Sequence, residues 1–379
     1  MTNLKKKIKF NIPAKLNIDL LKKINFQQYS SGGKYTTLCR NFLLNKIKCK
    51  EALLVHSCTA ALEMCALLLN IKNGDEIIMP SYTFVSTANA FVLRGGKPVF
   101  VDIEPNTCNI DPSKVEKVIS KNTKAIVIVH YAGVSCDMDS ILKIAKKHKL
   151  YVIEDAAHAI FSSYKGKPLG SIGDLATLSF HETKNIHCGE GGALLINNPK
   201  FIKRAKIIRD KGTNRELFNQ NMVKKYTWKD YGSSYGLSEL NAALLYSQLK
   251  QAKKITNKRI EIFKYYHKSL KIFELKGLIK RPHIPNYSKN NGHIYYIVVK
   301  NNKRSKLIEY LKKNNIMGVF HYIPLHDTLF GKSKTKTKSL MKNTYYISTN
   351  LLRLPMHINL KKADLQNICK KISYFFLKN

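Results

Sequence analysis

What most limits the possible folds of this chain is a rhythm between residues 52 and 154. Short runs rich in apolar residues (52–56, 76–80, 97–103, 125–131 and 151–154) alternate with helical stretches at 58–69, 84–94, 112–120 and 138–148. The helical stretch at 138–148 keeps Ile141, Leu142 and Ala145 on one face. Strands this short and this apolar, separated by helices, must be covered on both faces. A mainly parallel sheet with helices on each side does that, so an α/β fold is expected. In such sheets, binding and reacting groups gather at the carboxyl ends of strands.

Those ends supply the candidates. Ser57 follows the first run and offers an N-cap to 58–69, which is apolar on nearly every side and therefore a buried helix. The N–H groups of Cys58 and Thr59, with the Thr59 hydroxyl, suit a phosphate at the positive end of the helix dipole. A capped core helix has the same sequence without any ligand. Phe84 is an aromatic residue just beyond the second run, and Asp155 closes the run at 151–154, ahead of Ala156, Ala157 and His158. A carboxylate in that place either holds a proton on a heteroaromatic nitrogen or caps the next helix. Later, a run at 175–180 that contains Ser179 enters a turn at 181–185, a glycine-rich stretch at 189–192 and a further strand at 193–197. The turn sets Lys184 at the rim of a core, where partial burial disfavours the ammonium and frees the amine to attack a carbonyl. With 65 lysines and arginines in the chain, a solvated turn lysine is the competing reading.

The length of 379 residues exceeds one ordinary core. Residues 1–250 are assigned to a large domain with an irregular N-terminal arm at 10–36, a helix at 37–47 and, after an aromatic stretch at 212–235, a helix at 237–253 running on toward 267. Residues 251–379 form a small α+β domain with a strand at 294–299, a helix at 305–314, a strand-like 318–322, a lysine-rich loop at 331–338 and a helix at 362–376. No run reaches the length of a membrane span and the first nine residues are polar, so a soluble, cytoplasmic protein without a membrane partner is expected. The eight cysteines show no C-x-x-C pair, which argues against a zinc site and a disulfide framework. The net charge of +40 raises the question of a nucleic-acid partner. Its excess is lysine spread along the whole chain, unlike a basic face with arginine forks, and no specific nucleic acid is expected. A basic regulatory or nucleic-acid-binding protein on an enzyme scaffold is the competing class.

A phosphate site, an aromatic to stack on a ring, an acid for a ring nitrogen and an amine for an aldehyde together match pyridoxal 5'-phosphate. On residues 57–63, 79–89, 129–133, 154–158 and 179–192 the sequence resembles the DegT/DnrJ-type sugar-nucleotide aminotransferases, and the resemblance extends over nearly the whole chain. It implies the PLP-dependent aspartate aminotransferase fold (type I), with a large mainly parallel-sheet domain and a small α+β C-terminal domain, in a homodimer. It further implies that Lys184 forms the Schiff base and shuttles a proton, Asp155 pairs with the pyridine nitrogen, His158 lies by the phenolic oxygen and Phe84 stacks on the ring. Cys58, Thr59 and Ser179 would hold the phosphate, joined by Ser234 of the partner subunit. Residues 181–185, 211–215, 232–235 and 319–326 are similar to those members that use L-glutamate to aminate the dTDP-linked keto sugar dTDP-4-dehydro-6-deoxyglucose at carbon 4. The sequence departs from the family where Ser234-Tyr235-Gly236 replaces a common Asn-Tyr-Arg, and where His158 replaces a common glutamine. His187-Cys188 replaces small hydroxyl residues and is expected to alter the pocket edge. Lys184 separates the chain from dehydratases of this fold, which carry histidine there. His181-Glu182 opens like a zincin motif, but Asn185 supplies no second ligand and no metal is expected. His130 is a candidate to close the pocket, and His321 is expected to pack.

Overall fold

The computed structural model describes residues 7–22, 29–335 and 340–378. The apolar runs form a seven-stranded sheet in the spatial order Glu51–Val55, Gly192–Ile196, Leu175–Ser179, Tyr151–Asp155, Thr123–Val129, Glu76–Pro80, Lys97–Val101. Gly192–Ile196 is antiparallel to both its neighbours, and the other pairings are parallel. Alternation along each strand sends side chains to opposite layers. Ala52, Leu54, Ile126 and Ile128 enter one core with Leu43 and Ile47 of the helix Lys34–Ile47 and Ile141 of Met138–His148. Leu53, Val55, Ala125 and Val127 enter the other, with Met64 and Leu68 of Cys58–Leu68 and Phe91 of Val85–Val92. Each aliphatic side chain so covered contributes about 1.5–3 kcal/mol. Both faces being buried explains why these runs read as continuously apolar.

A third core surrounds a three-stranded antiparallel sheet, Ile279–Lys280, Tyr296–Val299 and Leu351–Arg353. The helices Ala252–Ser269, Arg304–Lys313 and Lys362–Lys378 supply Ile262, Leu307 and Ile368 to it. Ile8 joins this core from the other end of the chain, and the N–H of Met356 donates to the carbonyl of Phe10 at 3.0 Å. A further small sheet pairs Ser288–Lys289 with Ser163–Tyr164, tying the late segment to the early one.

Several elements differ from the sequence reading. The helix expected from 237 toward 267 is two helices, Glu239–Lys250 and Ala252–Ser269, because Gln251 turns to φ −96° and ψ 2°. The stretch 112–120 winds as Pro112–Val115 and tightens into a 3₁₀ turn, Glu116–Val118. Of the strand-like 318–322 only Val319 pairs, with Arg353. Residues 331–334, expected in a loop, end the helix Leu329–Lys334, whose Thr328 Oγ1 accepts from the Gly331 N–H at 3.0 Å. Residues 336–338 of that loop lie outside the described residues. Among the described residues no helix is long and apolar enough to cross a membrane.

Candidate active site

Where Glu51–Val55, Glu76–Pro80, Thr123–Val129, Tyr151–Asp155 and Leu175–Ser179 end, the chain encloses a cavity of about 590 Å³. Its first wall is the start of Cys58–Leu68. Ser57 Oγ accepts from the Ala60 N–H at 3.0 Å, the cap its sequence predicts, and the N–H groups of Cys58 and Thr59 are too early in the helix to find partners within it. Thr59 Oγ1 lies 2.8 Å from Ser86 Oγ, so two hydroxyls meet there. The strand Gly192–Ile196 passes under this helix start only because it begins with glycine. A Cβ at Gly192 would come within 2.4 Å of the Ser57 carbonyl carbon.

The second wall is Asp155. Its Oδ2 accepts from Thr87 Oγ1 at 2.8 Å and its Oδ1 from the Ala157 N–H at 3.2 Å. Burial pushes this carboxyl above its ordinary range, and those two bonds only partly oppose it. Thr87 Oγ1 is also 2.8 Å from Thr83 Oγ1, and since Thr87 donates to Asp155, Thr83 donates to Thr87.

Lys184 projects from a tight turn in which its N–H donates to the His181 carbonyl at 2.9 Å. It is half-buried and lines the cavity. Burial lowers its pKa, Cys58 and Asp155 oppose that, and the positive charge of Arg353 reinforces it. Ser179 is buried on the same rim, where its Oγ receives a long 3.4 Å contact from the His181 N–H. Phe84 is 57% exposed at the mouth, tilted 6.5 Å from the Tyr322 ring. His158 is buried below it. The Ala132 N–H donates to its Nδ1 at 3.4 Å, which puts the ring proton on Nε2, 3.3 Å from the Tyr322 hydroxyl. Burial, then the charges of Lys184 and Arg353, lower its pKa, so the ring is neutral.

Seven of the eight residues singled out in the sequence therefore face one cavity. Ser234 does not: it is exposed, bridged to Asp210 on its own chain. His130 is corrected from pocket lid to buried support, with Nε2 on Glu154 at 2.9 Å and Nδ1 accepting from the Cys136 N–H at 3.2 Å. His187 and Cys188 are buried and neither lines the cavity: His187 Nε2 donates to the Ala14 carbonyl at 2.7 Å and so anchors the N-terminal segment, while Cys188 Sγ contacts the Glu190 carbonyl at 3.2 Å. His321 packs as expected, 3.7 Å from the Tyr322 ring with Nδ1 2.6 Å from the Tyr131 hydroxyl, but it also lines the cavity. Sequence reasoning missed Thr87, Arg353 and His293. Only Thr87 left a signal, since it lies in the stretch 79–89 that carries part of the family resemblance.

The donor set fits pyridoxal 5'-phosphate: anion-seeking N–H groups at one wall, a buried acid with little local support at another, and a lysine of lowered pKa between them. The DegT/DnrJ/EryC1/StrS aminotransferase family profile matches residues 14–373. The chain belongs to this family. It is 37% identical over 354 residues, 91% of this chain and 90% of the relative, to an uncharacterized protein of Methanocaldococcus jannaschii. The spore coat polysaccharide biosynthesis protein SpsC of Bacillus subtilis is 36% identical over 336 residues, 85% of each chain. Among solved structures, Helicobacter pylori PseC, an aminotransferase involved in the biosynthesis of pseudoaminic acid, is similar with a TM-score of 0.89 and 30% identity, over 99% of this chain and 100% of that one. As a member of the DegT family the chain is a pyridoxal-phosphate-dependent aminotransferase of the sugar-modifying kind, with the α/β fold of its structural neighbours.

Proposed function

We propose that this chain moves the amino group of L-glutamate to carbon 4 of a nucleotide-linked keto sugar, dTDP-4-dehydro-6-deoxy-D-glucose, giving dTDP-4-amino-4,6-dideoxy-D-galactose. The observation that carries the reading is the meeting of Lys184, Asp155 and the Cys58–Leu68 helix start around one cavity. The choice of sugar rests on the resemblance at 181–185 and 319–326. The 30% identity to PseC favours, as a second reading, another nucleotide-linked keto sugar.

When bound, the cofactor supplies an electron sink and a carbonyl carbon that carries the amino group between substrates. In this proposal the N–H groups of Cys58 and Thr59, with Ser179, hold its phosphate. Asp155 keeps a proton on its ring nitrogen, His158 donates Nε2–H toward its phenolic oxygen, and Phe84 covers the ring. Lys184 Nζ, with its ammonium form disfavoured by burial, takes the proton from the donor's α-carbon and delivers it on the other side of the transfer. A homodimer belongs to the same proposal, with Ser234 of the partner subunit completing the phosphate site. Trp228, 81% exposed, and Tyr231, 64% exposed, lie in the same stretch and give a second copy an apolar surface to cover. So do a cytoplasmic setting and a division into residues 1–250 and 251–379, the latter supported by the helix break at Gln251.

Purified protein mixed with the cofactor is expected to gain a near-visible absorption band that glutamate bleaches and that Lys184→Ala never acquires. Incubation with dTDP-4-dehydro-6-deoxyglucose then yields the 4-amino sugar, identified by mass and NMR. A wild-type protein that stays colourless defeats the proposal. A bleached enzyme that leaves this sugar untouched but aminates another moves the chain to the second reading.

A further inference from the structure

Two buried amides stand behind the cavity wall and control a ring that lines it. Asn291 is fully buried. Its Nδ2 donates to the carbonyls of His158 and Ile160, both at 2.8 Å, and its Oδ1 accepts from the His293 N–H at 3.0 Å, closing a turn over Gly292. Asn291 comes this close to the loop after Thr123–Val129 because residue 133 is glycine, where a Cβ would stand 2.2 Å from Asn291 Oδ1. Asn185, the neighbour of Lys184, reaches the same segment from the other side. Its Nδ2 donates to the Asn291 carbonyl at 3.2 Å, and its Oδ1 lies 2.8 Å from His293 Nδ1. A carbonyl can only accept, so the amide N–H₂ of Asn185 must face Asn291 and the amide oxygen must face the ring. His293 Nδ1 therefore carries the ring proton, and Nε2 is left as a lone pair.

His293 is only 7% exposed and lines the cavity, whereas Asn185 and Asn291 do not. Its Nε2 has no hydrogen-bond partner among the described residues. The ring lies against that of His158, with centroids 4.5 Å apart and planes tilted by 34°, a stacking contact that joins no nitrogen to nitrogen. The two rings hold opposite tautomers, so that His158 offers an Nε2–H and His293 an acceptor. Burial, then His158, Lys184, Arg259 and His321, push the His293 pKa well down, and no carboxylate among the described residues pairs with it, so the ring is neutral. A buried acceptor without a donor is costly unless a ligand supplies one. The cations on the lining do not: Arg259 is spent on the carbonyls of Gly292, His293 and Met356, Arg353 donates to the Phe320 carbonyl, and Lys184 is committed to the cofactor.

We propose that His293 Nε2 accepts a hydrogen bond from a hydroxyl of the keto sugar nucleotide, with Asn185 and Asn291 as the positioning residues that fix its tautomer. This deepens the aminotransferase reading and rests on it. Glutamate brings carboxylates, which a lone pair repels, and an amine that is consumed in the transfer. A keto sugar brings a hydroxyl next to its reacting carbonyl, and an O–H is what a neutral, fixed acceptor selects.

The two half-reactions separate these roles. In His293→Phe, which keeps a flat ring against His158, the near-visible band acquired with cofactor shows that the protein is folded and loaded. The concentration of dTDP-4-dehydro-6-deoxyglucose needed to restore half the band from the amino form is expected to rise about 5- to 30-fold. The glutamate concentration needed to half-bleach it should stay within about 3-fold of the wild type. His293→Gln, whose carboxamide oxygen can replace the acceptor, should fall between the wild type and His293→Phe, and it carries the test if the phenylalanine variant does not fold. As a readout without turnover, ¹⁵N-histidine NMR of the cofactor-free protein should show the His293 ring, identified by its absence from the variants, as the Nδ1–H tautomer. Asn185→Ala should mix in the Nε2–H form. If the wild type aminates a different keto sugar, that sugar takes its place in the same comparison. Equal losses in both half-reactions, a loss confined to glutamate, or no change in either overturns the proposal and leaves His293 as packing for His158. An Nε2–H tautomer in the wild type overturns it as well. A wild-type protein with no band defeats the aminotransferase reading itself, a failure visible before any variant is compared.

Discussion

Glu154 and Asp155 are adjacent on one strand and both are buried, yet the fold serves them very differently. Glu154 points toward the loop at 170–173 and accepts from the N–H groups of Gly170, Ile172 and Gly173 at 2.7–2.8 Å, and from His130 at 2.9 Å. Burial pushes its pKa up, but the His130 bond and these backbone donors more than reverse that, and it sits below its ordinary value. Asp155 points the other way, into the cavity, with one hydroxyl and one backbone N–H, and it sits above its ordinary value. A carboxylate whose acceptor sites are filled by its own chain is architecture, whereas one left short of donors is stable only with something else in reach. The strand period of two puts these alternatives one residue apart.

The largest effect expected from this contrast is on catalysis. On the proposed reading, Asp155→Asn removes the acid that keeps the ring nitrogen protonated, and kcat should fall by about 10³-fold. The melting temperature of the cofactor-free protein should hold or rise, because a poorly supported buried charge is gone. Glu154→Gln should do the reverse. It sets an amide N–H₂ against donors that need an acceptor, at a cost of about 3 kcal/mol measured by denaturant unfolding, while kcat of the folded protein changes only a few-fold. If Asp155→Asn unfolds the chain as readily as Glu154→Gln does, the contrast collapses.

The same contrast predicts opposite pH dependences in the cofactor-free protein. The pKa of Glu154 is depressed on folding, so its stabilising contribution is present above its ordinary value of 4.5 and is lost as pH falls through the lower folded value. That of Asp155 is raised, so the fold is least penalised below its ordinary value of 3.8, and stability is lost as pH rises through the higher folded value. Subtracting each variant from the wild type isolates the two. The wild-type advantage over Glu154→Gln should shrink on acidification, and the wild-type deficit against Asp155→Asn should grow between mildly acidic and neutral pH. Parallel curves would show that the two carboxyls share one environment.

How far this site could be read in advance depends on whether a residue acts through its immediate sequence neighbours or through distant ones. Ser57, Thr59, Asp155 and Lys184 were legible because each stands at the end of an apolar run or in a turn beside one, and strand ends are where such folds put their chemistry. The division of labour between Glu154 and Asp155 was not, since the donors to Glu154 come from residues 170–173 and from His130, brought there only by the parallel pairing of Thr123–Val129 with Tyr151–Asp155. Arg353 was hidden for the same reason. It lies 169 positions beyond Lys184 on a three-residue strand and reaches the cavity through the small sheet. His321 sat in a motif already singled out, yet nothing in one sequence shows that Tyr131 holds it with the Tyr322 ring 3.7 Å away.

The smallest expected effect is the sharpest test of how under-served Asp155 is. Among the described residues Thr87 supplies its one side-chain donor, at the end of a relay in which Thr83 donates to Thr87 and Thr87 to Asp155. Thr87→Val keeps the shape and removes the relay, so burial acts on Asp155 with less opposition and its pKa rises further. A net hydrogen bond of about 1 kcal/mol predicts roughly 5-fold weaker retention of pyridoxal 5'-phosphate, followed by the loss of the near-visible band on dialysis. The band should also fade at a higher pH on acidification than in the wild type, because a carboxyl of higher pKa is neutralised sooner. Retention equal to the wild type would mean that the bound ring nitrogen alone satisfies Asp155, and the poor supply of donors around it would then be incidental to the site.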